Sequence, residues 1–130
     1  KFLRLGIRAH AFTDNHMQAI AAAHLGSGDL ALAISHSGSS KDIIEAMEIA
    51  KNNGATTVAI TNNGKAPIDK FCDLMLHTIS DETNYRILGL SSRISQLAII
   101  DAVYSYLVCH LPHAKENIKK TEIALEKKKF

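Results

Sequence analysis

Residues Ser35-His36-Ser37-Gly38-Ser39-Ser40 place four hydroxyls and one glycine directly after the apolar run Leu30-Ala31-Leu32-Ala33-Ile34 and directly before a helical pattern. Those residue types in that order suit the capture of a phosphate. Hydroxyls and main-chain N–H groups donate hydrogen bonds to an anion, glycine lets the backbone come close, and a helix amino terminus adds partial positive charge, so no lysine is required. A plain structural reading accounts for one serine only. Ser39, with Asp42 three residues on, fits a capping box, and Ile43, Ile44, Met47 and Ala50 give the helix that follows an apolar stripe. Ser35, Ser37 and Ser40 are left without a capping task.

Such a loop needs a strand that ends beneath it and a helix that starts above it. The chain alternates the two patterns throughout, which implies βαβ units and a parallel sheet, an α/β fold. Residues 29–35 read as the central strand, buried on both faces, with a ligand at its carboxyl end. Further strands are expected at 8–12, 56–61 and 74–78. Helices are expected at 14–24, capped by Thr13 or Asp14 with Met17, Ile20 and Ala21 facing inward, and at 40–53, stopped by Gly54. A short helix opens at Pro67 and runs to 71, a long one spans 91–110 and ends before Pro112, and a lysine-rich one spans 113–128. There is no internal repeat and no low-complexity linker.

At 130 residues the chain suits one folding unit that buries about two-thirds of its unfolded surface. A net charge of +2 implies no strong pull toward nucleic acid. Cys72 and Cys109 are far apart and lack metal-ligand spacing, so free thiols in a reducing cytoplasm are the expectation, with no metal and no cofactor. The most apolar stretch, 97–108, is short and carries Asp101, so no membrane span is expected. The chain starts at Lys1 rather than methionine, and Phe2, Leu3, Leu5 and Ile7 around Gly6 look like the last turn of a helix at a glycine cap. The beginning of the domain is therefore expected to be missing.

The serine loop, followed by Asp42-Ile43-Ile44-Glu45-Ala46 and then Gly54-Ala55 with Val58-Ala59-Ile60-Thr61-Asn62, resembles a sugar isomerase (SIS) phosphosugar-binding domain. Asp81-Glu82-Thr83-Asn84-Tyr85-Arg86, then Leu90-Ser91-Ser92-Arg93-Ile94-Ser95-Gln96-Leu97 and Asp101, resembles the version of that domain found in RpiR-type bacterial transcription regulators. The resemblance covers residues 1–112 and leaves 113–130 as a separate carboxyl-terminal helix. It implies a three-layer αβα domain with a flavodoxin-like parallel sheet whose first strand, and part of its first helix, lie ahead of residue 1. It also implies sugar-phosphate binding by Ser35, Ser37 and Ser40, with the backbone of His36, Gly38 and Ser39 completing the cradle. His36 either contacts the phosphate or closes the pocket wall.

By the same resemblance Glu82 lies near the sugar. A carboxylate there could hold hydroxyls or act as the base of an aldose-ketose isomerisation, and binding is the favoured role. The bland alternative makes Asp81 and Glu82 solvated loop residues. The long helix carries more apolar residues than one core-facing stripe needs, so a homodimer or higher oligomer built partly on it is expected. The implied function is the effector domain of a regulator that reaches DNA only through an amino-terminal domain not in this chain. The alternative is a phosphosugar isomerase. A dinucleotide-binding domain is disfavoured because no G-x-G-x-x-G follows any strand.

Overall fold

The computed structural model of the chain describes residues 1–62, 64–79, 90–126 and 128. In chain order these form a 3-10 turn at Phe2–Leu5, helix α1 at Asn15–Ala23, strand β1 at Leu30–Ile34, helix α2 at Lys41–Asn52 and strand β2 at Thr56–Asn62. A second 3-10 turn at Pro67–Phe71, strand β3 at Leu74–Thr78, helix α3 at Leu90–His110 and helix α4 at Ala114–Glu126 follow. Two compact units share them. One is Phe12–Gln96, the other Lys1–Ala11 with Leu97–Phe130, and the division falls inside α3.

In the first unit the strands are parallel and ordered β1-β2-β3, with Ala33 beside Ala59 and Ala59 beside Met75. The α/β class with a parallel sheet is as expected. All three strands consequently end along one edge. Side chains alternate between faces, so Ala33, Ala59 and Met75 share one, and α2 and the Pro67–Phe71 turn cover it. Met47 and Ile68 join Ala33 and Ala59 in the core there, with Ile43, Ile44 and Phe71 around them. The small side chains on the sheet let the helix approach closely. α1 packs on α2 through Ala22 and Ala50, and Asn53 Nδ2 donates to the carbonyls of Ala22 and Ala23 at 3.3 and 3.1 Å, partnering the last turn of α1.

Three expectations need correction. The central strand is β2, whose Thr57–Thr61 stretch is buried throughout, while β1 lies at the edge of the described sheet with Leu30 59% and Ile34 47% exposed. Burial of β2 was hidden because its threonines look polar, yet Thr57 and Thr61 both have hydrogen-bond partners. Residues 8–12 form no strand. Only the methyl groups of Ala9 and Ala11 alternate on one side there, too little apolar area to hold a strand on a sheet. Met17 and Ile20 are exposed, because α1 meets α2 through its alanines.

In the second unit Gly6, at φ 85°, caps the first 3-10 turn. Asn117 Nδ2 donates to the Leu5 carbonyl at 2.9 Å, and Arg4 reaches Thr121 and Glu122 at 3.3 and 3.5 Å, which ties the turn to α4. Lys1 pairs with Asp101. α4 leaves α3 at an angle of 106°. No single helix among the described residues is long and apolar enough to cross a membrane.

The amino edge of the sheet is closed by Asp73. Its Oδ2 accepts the Thr57 N–H and hydroxyl, both at 2.8 Å, its own N–H donates to the Thr57 carbonyl at 2.8 Å, and Lys51 Nζ lies 3.3 Å from Oδ1. The hydrogen bonds from Thr57, with Lys51 beside them, hold the Asp73 carboxyl below its ordinary value. A depressed carboxyl contributes stability that is complete above the unfolded-state pKa and is lost as pH falls through the folded value. Asp73→Asn is therefore expected to lower Tm at neutral pH, with the deficit shrinking below about pH 4. Thermal unfolding of both proteins across a pH series reads this directly.

Candidate functional site

The loop after β1 is held from below by the sheet. Ser35 N–H donates to the Ile60 carbonyl at 3.0 Å, and Asn62 N–H donates to the His36 carbonyl at 2.9 Å, so the chain stays laddered to β2 for two residues past Ile34. Ser35 is buried, and its hydroxyl accepts the Gly38 N–H at 3.2 Å. Gly38 then passes under the Pro67–Phe71 turn, its carbonyl accepting the Ile68 N–H at 3.1 Å. Its φ is +59°, and a Cβ added there would lie 2.6 Å from Ala66 Cβ and 2.9 Å from Ile68 Cγ2. Glycine is required at this position twice over, by backbone sign and by space.

Beyond Gly38 the loop turns outward. Ser37 Oγ accepts the Ser39 N–H at 3.3 Å, and Ser39 Oγ donates to the Ser37 carbonyl at 3.1 Å. Ser39 is thus engaged with Ser37 and does not cap α2. The N-cap is Ser40, in extended backbone, and its hydroxyl makes no capping hydrogen bond. This corrects the capping box expected from Ser39 and Asp42. The helix begins one residue later because Ser39 is drawn back into the turn.

The first bond of α2 runs from Ile44 N–H to the Ser40 carbonyl at 3.0 Å, so the N–H groups of Lys41, Asp42 and Ile43 have no acceptor within the helix. Exposed Ser37, Ser39 and Ser40 stand beside them. Three unclaimed amides, the dipole of a 12-residue helix and adjacent hydroxyls form a surface complementary to a small dianion. The structure brings Ser35, His36, Ser37, Gly38, Ser39 and Ser40 together in this one loop, with Ser35 facing inward as its brace. Glu82 lies outside the described residues.

Reasoning from sequence passed over the neighbouring strand ends. Thr61 and Thr78 are buried at the same edge, with Thr78 Oγ1 donating to the Thr61 carbonyl at 3.2 Å, and His77 sits beside Thr61 with Nδ1 3.3 Å from Thr61 Oγ1. The signal was available: strands joined by helical crossovers end on one side, so polar residues at each carboxyl end meet there. Cys72, near the opposite edge, has its thiol pushed up by burial and takes no part. Among the described residues no group of three or more His, Cys, Asp or Glu side chains is placed to hold a metal ion.

The family model of the SIS domain matches residues 1–106. An uncharacterised HTH-type transcriptional regulator of Caldanaerobacter subterraneus subsp. tengcongensis is 41% identical over 104 residues, covering 80% of this chain and 37% of the relative. The HTH-type transcriptional regulator RpiR of Escherichia coli strain K12 is 37% identical over 122 residues, covering 93% of this chain and 41% of the relative. The chain thus spans about two-fifths of the length of these relatives. Among solved structures, the Vibrio vulnificus NanR protein complexed with ManNAc-6P superposes with a TM-score of 0.90 at 26% identity, covering 98% of this chain and 48% of that one. A Methanococcus jannaschii protein with an inferred 3-hexulose-6-phosphate isomerase function shares the fold, with a TM-score of 0.70 at 21% identity over 91% of this chain and 63% of that one.

Gly38→Ala is expected to destabilise the protein by about 1–3 kcal/mol, since it adds left-handed backbone strain to a contact that backbone and Ala66 cannot relieve. Urea unfolding of the variant checks the magnitude.

Proposed function

The chain belongs to the SIS domain family, and from that premise we propose that it senses a sugar phosphate on behalf of an RpiR-type transcriptional regulator, in the cytoplasm. The observation that carries this reading is the amino end of α2, where the amides of Lys41, Asp42 and Ile43 have no acceptor within the helix, the Ser40 hydroxyl makes no capping bond and Ser37 in the preceding loop is exposed. A phosphate monoester is the dianion that such a donor set fits. NanR, the neighbour at 26% identity, was solved with a phosphorylated amino sugar, which makes hexosamine phosphates the first ligands to try. Ser35, His36, Gly38 and Ser39 shape the cradle. Glu82 is kept as the partner of sugar hydroxyls on the resemblance of the segment 81–86 alone.

Mechanistically, an anion at this spot supplies the acceptors that the first turn of α2 lacks, and so favours the arrangement in which loop and helix end are ordered. A bound state that differs from the free one in this way passes its free-energy difference to a DNA-binding domain elsewhere in the polypeptide. The two sequence relatives are HTH-type transcriptional regulators, which supports sensing over catalysis. The isomerase alternative requires Glu82 or His36 to move a proton between adjacent sugar carbons.

The helix α3 also leaves Ile94 70%, Leu97 63% and Tyr106 63% exposed, and we assign these side chains to a homodimer contact. Leu97→Glu is expected to shift the protein from dimer to monomer in light scattering at micromolar concentration. For the ligand, N-acetylmannosamine 6-phosphate at 100 times Kd is expected to stabilise the protein by about 2.7 kcal/mol, seen as a rise in Tm. Ser37→Ala with Ser40→Ala should abolish that rise while leaving the unliganded Tm near wild type. An unchanged rise in the double variant counts against the site.

A further inference from the structure

The carboxyl edge of the sheet holds a second polar position that the serine loop does not use. Thr61 pairs in register with His77, and Ile34 with Ile60, so that Ser35, Thr61 and His77 follow one another across the strands on the face that carries α2. Thr61 is buried in the middle of this row, and its methyl group packs 3.3 Å from where a Gly38 Cβ would stand. His77 is exposed at the far end. It lies two strand spacings, about 10 Å, from the strand that carries the serines. That separation is on the scale of a phosphorylated hexose.

The ring of His77 is held by one nitrogen and presents the other. Nδ1 lies 3.3 Å from Thr61 Oγ1 and 3.4 Å from the Asn62 carbonyl oxygen. The carbonyl only accepts, so a proton on Nδ1 serves both contacts, and in that tautomer Nε2 carries a lone pair. Among the described residues nothing donates to Nε2. A fixed acceptor at the edge of a site is what a sugar hydroxyl needs. Asn62 is itself tied to the serine loop through its N–H bond to the His36 carbonyl, so ring and loop are referenced to the same strand end.

We infer that His77 is a specificity-determining residue of this site, reading a hydroxyl of the sugar at the end remote from the phosphate held at the start of α2. The inference rests on the sugar-phosphate reading above and deepens it. His77 selects for chain length and hydroxyl position, whereas the serine loop holds any phosphate monoester.

The test is isothermal titration of wild type, His77→Phe and His77→Gln with N-acetylmannosamine 6-phosphate, glucose 6-phosphate and glycerol 3-phosphate, the last offering the same phosphate on a chain too short to reach β3. The expected result is that His77→Phe weakens at least one hexose phosphate about tenfold, the worth of one hydrogen bond to a ligand, and leaves glycerol 3-phosphate unchanged. His77→Gln, which keeps an acceptor, should recover part of the loss. An equal loss on long and short phosphates marks a structural role and overturns the assignment, as does no loss on either. If wild type binds the probes and His77→Phe matches it, only His77 falls. If wild type binds none, the phosphate reading fails and His77 with it.

Discussion

At Gly38 the chain runs so close under the Pro67–Phe71 turn that the Ile68 N–H bonds its carbonyl at 3.1 Å and no side chain fits between. This contact sets the path of everything around it. With Gly38 pinned, Ser35 is turned inward as a brace, Ser37 and Ser39 close a small outward turn, and α2 cannot start before Lys41. The helix then opens on a serine whose hydroxyl is not spent on capping. In most helices the N-cap side chain satisfies one of the first amides. Here that task is left undone by the protein, and an external acceptor can complete it.

The two edges of the sheet use similar chemistry for opposite ends. At the amino edge, Asp73 saturates Thr57 through its N–H and hydroxyl, and Lys51 balances the charge, so the strand start is closed. At the carboxyl edge the threonines are again buried and bonded, but Ser37 and Ser40 in the loop beyond them are exposed. Buried hydroxyls in β2 act as internal fasteners because each has a partner. Exposed hydroxyls in the loop have room for one. Position along a parallel strand, rather than residue type, separates the two uses.

Much of this was legible in the residues themselves. The βαβ order, the Gly6 turn end, Pro67 at the start of a short turn and the two carboxyl-terminal helices all follow from local signals, namely caps, breakers and period. The serine loop was legible for the same reason, since strand, glycine and helix start are contiguous. What local signals could not show was which strand is central. Leu30–Ile34 is more apolar than Thr56–Asn62, yet the latter is enclosed, because its threonines find partners sixteen residues away. The cap at Ser40 was missed because Ser39 is diverted by Ser37, and that diversion depends on a tether from Ile68. His77 was passed over because its place next to Thr61 comes from strand register.

The bond from Asn62 N–H to the His36 carbonyl has a kinetic meaning. Asn62 belongs to β2, the strand laddered on both sides, which opens only when the sheet comes apart and should show the slowest amide exchange in its unit. Beyond the pinned Gly38, the bonds between Ser37 and Ser39 are local, 3.3 and 3.1 Å long and in contact with solvent, and are expected to open far more often. Base and rim of the cradle therefore live on separate timescales. An anion bound at the proposed site would have to quieten only a few outer residues, and the ordering entropy opposing it would be correspondingly small.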